Sequence, residues 1–174
     1  RYQLTYTASN SKGVYTFCMC PGGYVIPSSC QKDQLVVNGM SYASRSGENA
    51  NSALLVQIND SDYGNELFAG LKYQEDLEKK AFKMGRDYKA CVQLAKDYLE
   101  NKISNQFESV LPTYSIGTTF CDLNDLFSKE VNLALHEALE HFEKKVPGFV
   151  SGGAILSAVE SRSSSSVRLV RDKE

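Results

Sequence analysis

Two short stretches hold side chains whose types and spacing could do chemistry. In Phe17-Cys18-Met19-Cys20-Pro21-Gly22-Gly23, two thiols precede a proline and a glycine pair. Pro21 and Gly22-Gly23 predict a tight bend, where backbone can approach a flat ligand with no side chain between them. If Cys18 and Cys20 are extended they point to one face, roughly 6.6–6.8 Å apart along the strand. That is near the upper limit for an undistorted disulfide. Thiols so placed could serve redox chemistry or metal binding; they could equally be small buried hydrophobes beside a turn. The second stretch is Asn38-Gly39-Met40-Ser41, followed by Arg45-Ser46-Gly47-Glu48-Asn49-Ala50-Asn51-Ser52. Its Asn and Ser side chains can build turns by bonding backbone two residues on. Arg45, Asn49 and Asn51, with Ser52 next to them, could instead offer convergent donors to a bound anion or carbonyl.

Other motifs fail on spacing. His136 and His141 lie five residues apart, about 140° round a helix axis, whereas a zinc-binding pair needs i and i+4. They read as part of a solvated helix face. Asp60-Ser61-Asp62-Tyr63-Gly64 opens like a calcium loop, but Leu71 stands where the closing Glu is required. No metal is expected. The sequence has no G-x-G-x-x-G and no Walker A loop, so no phosphate-cradling turn is predicted. The only two histidines sit on that one helix, and no Ser/His/Asp triad can be assembled around them.

Composition narrows the classes further. The 174 residues suffice for one domain or for two small lobes sharing a core. Apolar residues at 42% and charged residues at 23% exclude disorder of the whole chain. Nineteen basic residues stand against twenty-one acidic ones, for a net charge of −2, with no Lys/Arg block. No nucleic-acid partner is expected. No apolar run approaches bilayer-spanning length, so no membrane partner is expected either. Five cysteines, an odd number at irregular spacings, point to a reducing compartment and hence the cytoplasm. The chain opens on Arg1 without an initiator Met, and it is read as a domain of a larger protein.

The elements that must position these residues run β, then α, then β. Short alternating runs at Tyr2–Tyr6, Val14–Phe17, Tyr24–Ile26, Leu35–Val37 and Ala53–Ile58 are punctuated by glycine turns, which predicts a small barrel or sandwich. Asn65 reads as the cap of a helix from Glu66 to about Gly85. A second helix is predicted over roughly Ala90–Lys102, with Val92, Ala95 and Leu99 on one side. Ser104–Thr119 reads as a connector. Asp122 with Asp125 resembles a helix start, and Val131, Leu135, Leu139, Phe142 and Val146 form an apolar stripe at helical spacing. Strands at Ala154–Val159 and Val167–Val170 follow, as a hairpin around the serines from Ser161 to Ser166, and they are expected to rejoin the first sheet. The fold class is therefore α+β: a β-barrel or sandwich lobe over 1–62, completed by 146–174, with a helical lobe over 63–145 inserted.

The strings TFCMCPGGYVIPSS and LVVNGMSYASRSGENANSALLV resemble the middle region of a family of uncharacterised bacterial FAD-dependent, NAD-utilising dehydrogenases. Tyr73-Gln74 through Leu77-Glu78, Lys80-Ala81-Phe82, Tyr88-Lys89-Ala90 with Gln93, and Val146-Pro147-Gly148-Phe149 agree with it. So does Glu160-Ser161-Arg162-Ser163-Ser164-Ser165 with Val167-Arg168, which resembles the segment just ahead of that family's C-terminal flavin motif. The likeness spans nearly the whole chain. Cys91 stands where the family usually has Pro, and Ser166 where the Arg-x-Ser-Ser stretch usually runs into Pro; both departures are local.

The resemblance implies a split parent, with Rossmann FAD halves before Arg1 and after Glu174 as the flanking partner. This chain would be the insert that caps the flavin. It implies FAD and NAD(P) for the parent and a small-molecule substrate, but no cofactor bound by the isolated chain. Cys18, Cys20 and Arg45 would be the candidate catalytic groups, Gly22 and Gly23 would face the flavin, and Asn49, Asn51 and Ser52 would face the substrate. Two alternatives remain open: a stand-alone small-ligand-binding or thiol-redox protein using Cys18 and Cys20, and a module that docks a partner through the 131–146 helix.

Overall fold

A computed structural model describes residues 4–162. Strand β1 (Thr5–Thr7), the long β2 (Gly13–Pro27), β3 (Val37–Ser41) and β4 (Asn49–Val56) form one antiparallel sheet. β2 is its spine, pairing with β1, β3 and β4 in turn. Its first residues alternate as a half-buried strand should: Val14 and Thr16 face the core, Tyr15 and Phe17 face out. The sheet is open, so the expected barrel does not close, while the α+β class holds.

A one-turn helix α1 (Asp60–Tyr63) follows, capped reciprocally by Asn59 and Asp62. Helix α2 (Ala69–Gly85) comes next. It begins after Phe68, which takes a left-handed conformation and makes no side-chain cap, and not at the Asn65 cap expected from sequence. Its C-terminal carbonyls are covered by side chains of Cys91, Thr119 and Cys121. Cys91 Sγ donates to Ala81 O at 3.3 Å, Cys121 Sγ to Met84 O at 3.2 Å and Thr119 Oγ1 to Gly85 O at 2.6 Å. These bonds satisfy groups that a helix end would otherwise leave unpaired.

Residues 90–102 overturn the expectation of a second long helix. Ala90–Leu94 is strand β5, and only Ala95–Leu99 is helical, as α3. All five residues of β5 are buried. A strand covered on both faces loses its alternation, and a short apolar run then cannot be told from helix by periodicity. β5 pairs in parallel with β6 (Thr118–Phe120), which overlaps the end of the stretch read as connector, and antiparallel with β7 (Ile155–Ala158). The end strand therefore joins β5 and not the first sheet, which corrects the expected topology. It does touch that sheet, because Val159 O accepts the Val37 N–H at 2.9 Å. The strand expected at Val167–Val170 lies outside the described residues.

Helix α4 (Lys129–Lys145) is capped by Ser128, whose hydroxyl accepts from Val131 N. The Asp122 expected to start it forms a turn with Asn124 N instead, at 3.0 Å. The apolar stripe lands as its period requires: Val131, Ala134, Leu135, Ala138, Leu139 and Phe142 are buried, while Val146 is 44% exposed. Each fully buried large side chain contributes about 1.5–3 kcal/mol. One buried cluster runs from Val14 and Leu35 through Ala81 and Cys91 to Leu139 and Phe142, so sheet and helices share a core. The stripe is core and not a docking face. Glu137 on α4 also accepts from Ser9 N and Tyr6 OH, at 2.8 and 3.3 Å, which pins the helix to the β1–β2 hairpin. Among the described residues no helix is long and apolar enough to cross a membrane.

Candidate functional site

The Cys-Met-Cys-Pro-Gly-Gly run is the middle of β2, and it is bulged twice. Phe17 pairs with Ala53, Cys20 with Asn51 and Gly23 with Asn49, so each step of three residues on β2 faces two on β4. Bulges of this kind bend a strand and re-aim its side chains. Cys18 (φ 47°) and Gly22 (φ 58°) both take left-handed backbone, so the extended geometry that would align two thiols does not occur. Cys18 is exposed and Cys20 half-buried, and neither is in a disulfide. Cys20 Sγ donates to Cys18 O at 3.3 Å and to Gly39 O at 3.8 Å. Burial, the neighbouring Cys20 and the Glu160 carboxylate all push the Cys18 thiol up, which keeps it protonated near neutral pH.

The glycines serve close approach, but to the chain itself. A Cβ on Gly22 would lie 2.0 Å from Arg45 O, and Gly22 O accepts from Gly47 N at 3.2 Å. The Arg45–Gly47 turn is thus stacked on the bulge. Arg45 also has positive φ, 50°, and its exposed side chain makes no hydrogen bond or ion pair among the described residues.

The next two glycines hold Asn51. A Cβ on Gly23 would sit 2.4 Å from Asn51 Nδ2, and one on Gly39 would sit 2.1 Å from Asn51 Oδ1. The carboxamide therefore occupies a recess that exists only because β2 and β3 carry glycine there. Both its polar atoms are buried without a hydrogen-bond partner among the described residues. Leaving such groups unpaired costs about 1–3 kcal/mol, so a group that offered this carboxamide a donor and an acceptor would be favoured here.

Asn51 borders a cleft of about 1000 Å³ between the first sheet and the helical side of the core. Gly23, Val25, Gly39, Asn49, Asn51 and Ser52 line its sheet wall. Opposite lie Leu135 and Leu139 of α4, Phe149, and Ile155–Ser161. The 111–114 segment is strapped across it: Asn49 Nδ2 donates to Leu111 O at 2.7 Å, and Val25 N donates to Thr113 Oγ1 at 2.8 Å. At the rim, burial pushes the half-buried Glu160 carboxyl above its ordinary range.

Of the residues singled out by sequence, Gly23, Asn49, Asn51 and Ser52 share this cleft; Cys18, Cys20, Gly22 and Arg45 do not line it. Cys18 borders a second groove, of about 580 Å³, along β1 and β2. Three contributors escaped the sequence reading. Thr113 sat in a presumed connector, and Glu160 sat in a presumed hairpin. Glu78, a charged residue of α2, is fully buried. It accepts from Ser161 Oγ (2.5 Å), Gln74 Nε2 (2.9 Å), Arg162 Nε (3.0 Å) and Arg162 Nη2 (2.8 Å). Burial pushes the Glu78 carboxyl up, but the bonds from Arg162, Ser161 and Gln74 outweigh it and hold it below the ordinary range. This latch fixes the chain just past the cleft rim.

The site is thus an open antiparallel sheet with a large cleft along it. Residues 1–163 match the family described as FAD-dependent protein, C-terminal domain-like, and the chain belongs to that family. It is an accessory domain of a flavoprotein. It is also similar to an uncharacterized protein of Clostridium beijerinckii, with 41% identity over 174 residues and 98% of this chain covered. The match takes in 33% of that relative, so the chain spans about a third of the relative's length.

Proposed function

We propose that this chain caps the flavin of an FAD-dependent, NAD(P)-utilising oxidoreductase and shapes the small-molecule pocket above it. The reading makes it an insert between the two halves of a Rossmann FAD domain. The observation that carries it is the cleft whose sheet wall ends in a buried, unpaired carboxamide set between two glycines. That wall suits a flat, polar-edged ring: glycine admits close approach, and Asn51 holds an unused donor and acceptor. When bound, FAD supplies the hydride chemistry. This chain's residues exclude water and orient the reactants. Asn49 and Ser52 face the substrate side, and Gly22 and Gly23 bring the bulge toward the flavin. Arg45, whose turn is stacked on Gly22, offers its guanidinium to an anionic group, and Cys18 and Cys20 offer thiols from the same bulged run as Gly22. The five free cysteines support a cytoplasmic setting.

The test is the full-length protein. It should purify with FAD, and under anaerobic conditions NADH or NADPH should bleach the flavin absorbance. A full-length protein that holds no flavin, or whose flavin neither nucleotide reduces, would overturn the reading.

A further inference from the structure

We infer that Asn51 is a flavin-reading residue that takes the imide edge of the isoalloxazine ring, a contact that rests on the cap reading above. Three observations converge on it. The carboxamide is buried with both Oδ1 and Nδ2 unpartnered. Gly23 and Gly39 leave it a recess that any Cβ would fill, at 2.4 and 2.1 Å. Its residue borders the large cleft.

In the recess the carboxamide makes no hydrogen bond among the described residues, so turning it into the cleft breaks none of theirs. A ligand need only offer the complementary pair. A carboxamide presents one donor beside one acceptor. A cyclic imide presents an N–H between two carbonyls, so Nδ2 can donate to a ring carbonyl while Oδ1 accepts from the ring N–H. The flavin carries this edge on its pyrimidine ring. Neighbouring polar groups are already engaged: the Asn49 amide on Leu111 O, Thr113 Oγ1 by Val25 N, and the Cys20 thiol on Gly39 O. Asn51 is the carboxamide of this wall that is buried with both functions open among the described residues.

The experiment uses the full-length protein stripped of flavin and titrated with FAD or with FAD methylated at N3, following quenching of flavin fluorescence. Wild type should prefer FAD by about tenfold or more, the loss expected when a buried polar group is denied its partner. Asn51→Ala and the space-filling Asn51→Leu should each weaken FAD about tenfold and bind both flavins alike. Because the carboxamide is unpaired without flavin, Asn51→Leu should melt no lower than wild type in the stripped protein. The inference fails if either variant keeps the wild-type preference, or if wild type shows none. It fails also if Asn51→Leu melts well below wild type with the preference intact, which would mean a buried water holds the carboxamide for structural ends. A wild-type protein that takes up no FAD sinks the cap reading instead.

Discussion

Replacing Arg162 by Ala should destabilise the domain through Glu78, and by a pH-dependent amount. Glu78 is 0% exposed, while the Arg162 side chain is 35% exposed. The substitution removes two of the four donors to the carboxylate and leaves Oε2 bare, while Oε1 keeps Ser161 and Gln74. Breaking a buried pair from one side costs about 3–5 kcal/mol. Solvent at the guanidinium and the two surviving bonds bring the expected loss down to roughly 2–3 kcal/mol at pH 7. For a chain of this size that is a fall in melting temperature of roughly 5–10 °C. The sign with pH is fixed. The folded-state pKa of Glu78 is lowered, so its stabilisation is complete above the ordinary carboxylate value and is lost as pH falls through the lower, folded one. In the variant, less offsets burial, so Glu78 takes up a proton more readily and the deficit should shrink toward about pH 4. Melting curves by circular dichroism at pH 7 and near pH 4 check both points. Glu78→Gln added to Arg162→Ala should recover part of the loss. A variant that melts within a degree of wild type at pH 7, or whose deficit is the same at acid pH, would refute this account.

Gly22→Ala should cost about 1–2 kcal/mol for left-handed backbone alone, and more because its Cβ would lie 2.0 Å from Arg45 O and must displace the 45–47 turn; an unchanged melting temperature would show that the bulge yields freely. Arg45→Ala in the full-length protein should leave melting within about 0.5 kcal/mol of wild type while lowering turnover roughly ten- to a hundredfold, the value of a charge-assisted bond of about 1.5–3 kcal/mol. Steady-state kinetics alongside melting decides it: turnover at the wild-type level removes Arg45 from the site, and a lowered melting point with full activity makes it a strut.

The fold was legible where one physical pattern dominated. The α4 stripe from Val131 to Phe142 has a clean period and lies buried as its spacing demands. So does the alternation of Val14, Tyr15 and Thr16 on β2. β5 was hidden because Ala90–Leu94 is covered on both sides and shows no alternation. Its identification as strand depends on β6 and β7, which are 28 and more residues away in Thr118–Phe120 and Ile155–Ala158. The topology error followed from the same gap. With β5 unseen, the first sheet was the only available partner for the end strand.

The site was legible in its residue types and not in its geometry. Sequence placed a bend at Pro21-Gly22-Gly23 and polar groups at Asn49 and Asn51, and the structure puts Gly23 opposite Asn49 in register. What spacing alone could not supply is the double bulge, which throws Cys18 into left-handed backbone and away from the cleft. A two-residue separation implies one shared face only on an unbroken strand, and Gly22 in the same run is the signal that the strand is broken. Glycines on two strands, Gly23 and Gly39, have room for Asn51 to lie between them. Polar Asn51 shares β4 with the apolar Ala53-Leu54-Leu55-Val56. In the polar first half of β4, Asn51 faces glycines that give its carboxamide room, and it finds no hydrogen bond among the described residues. A ligand entering the cleft is the use proposed for it.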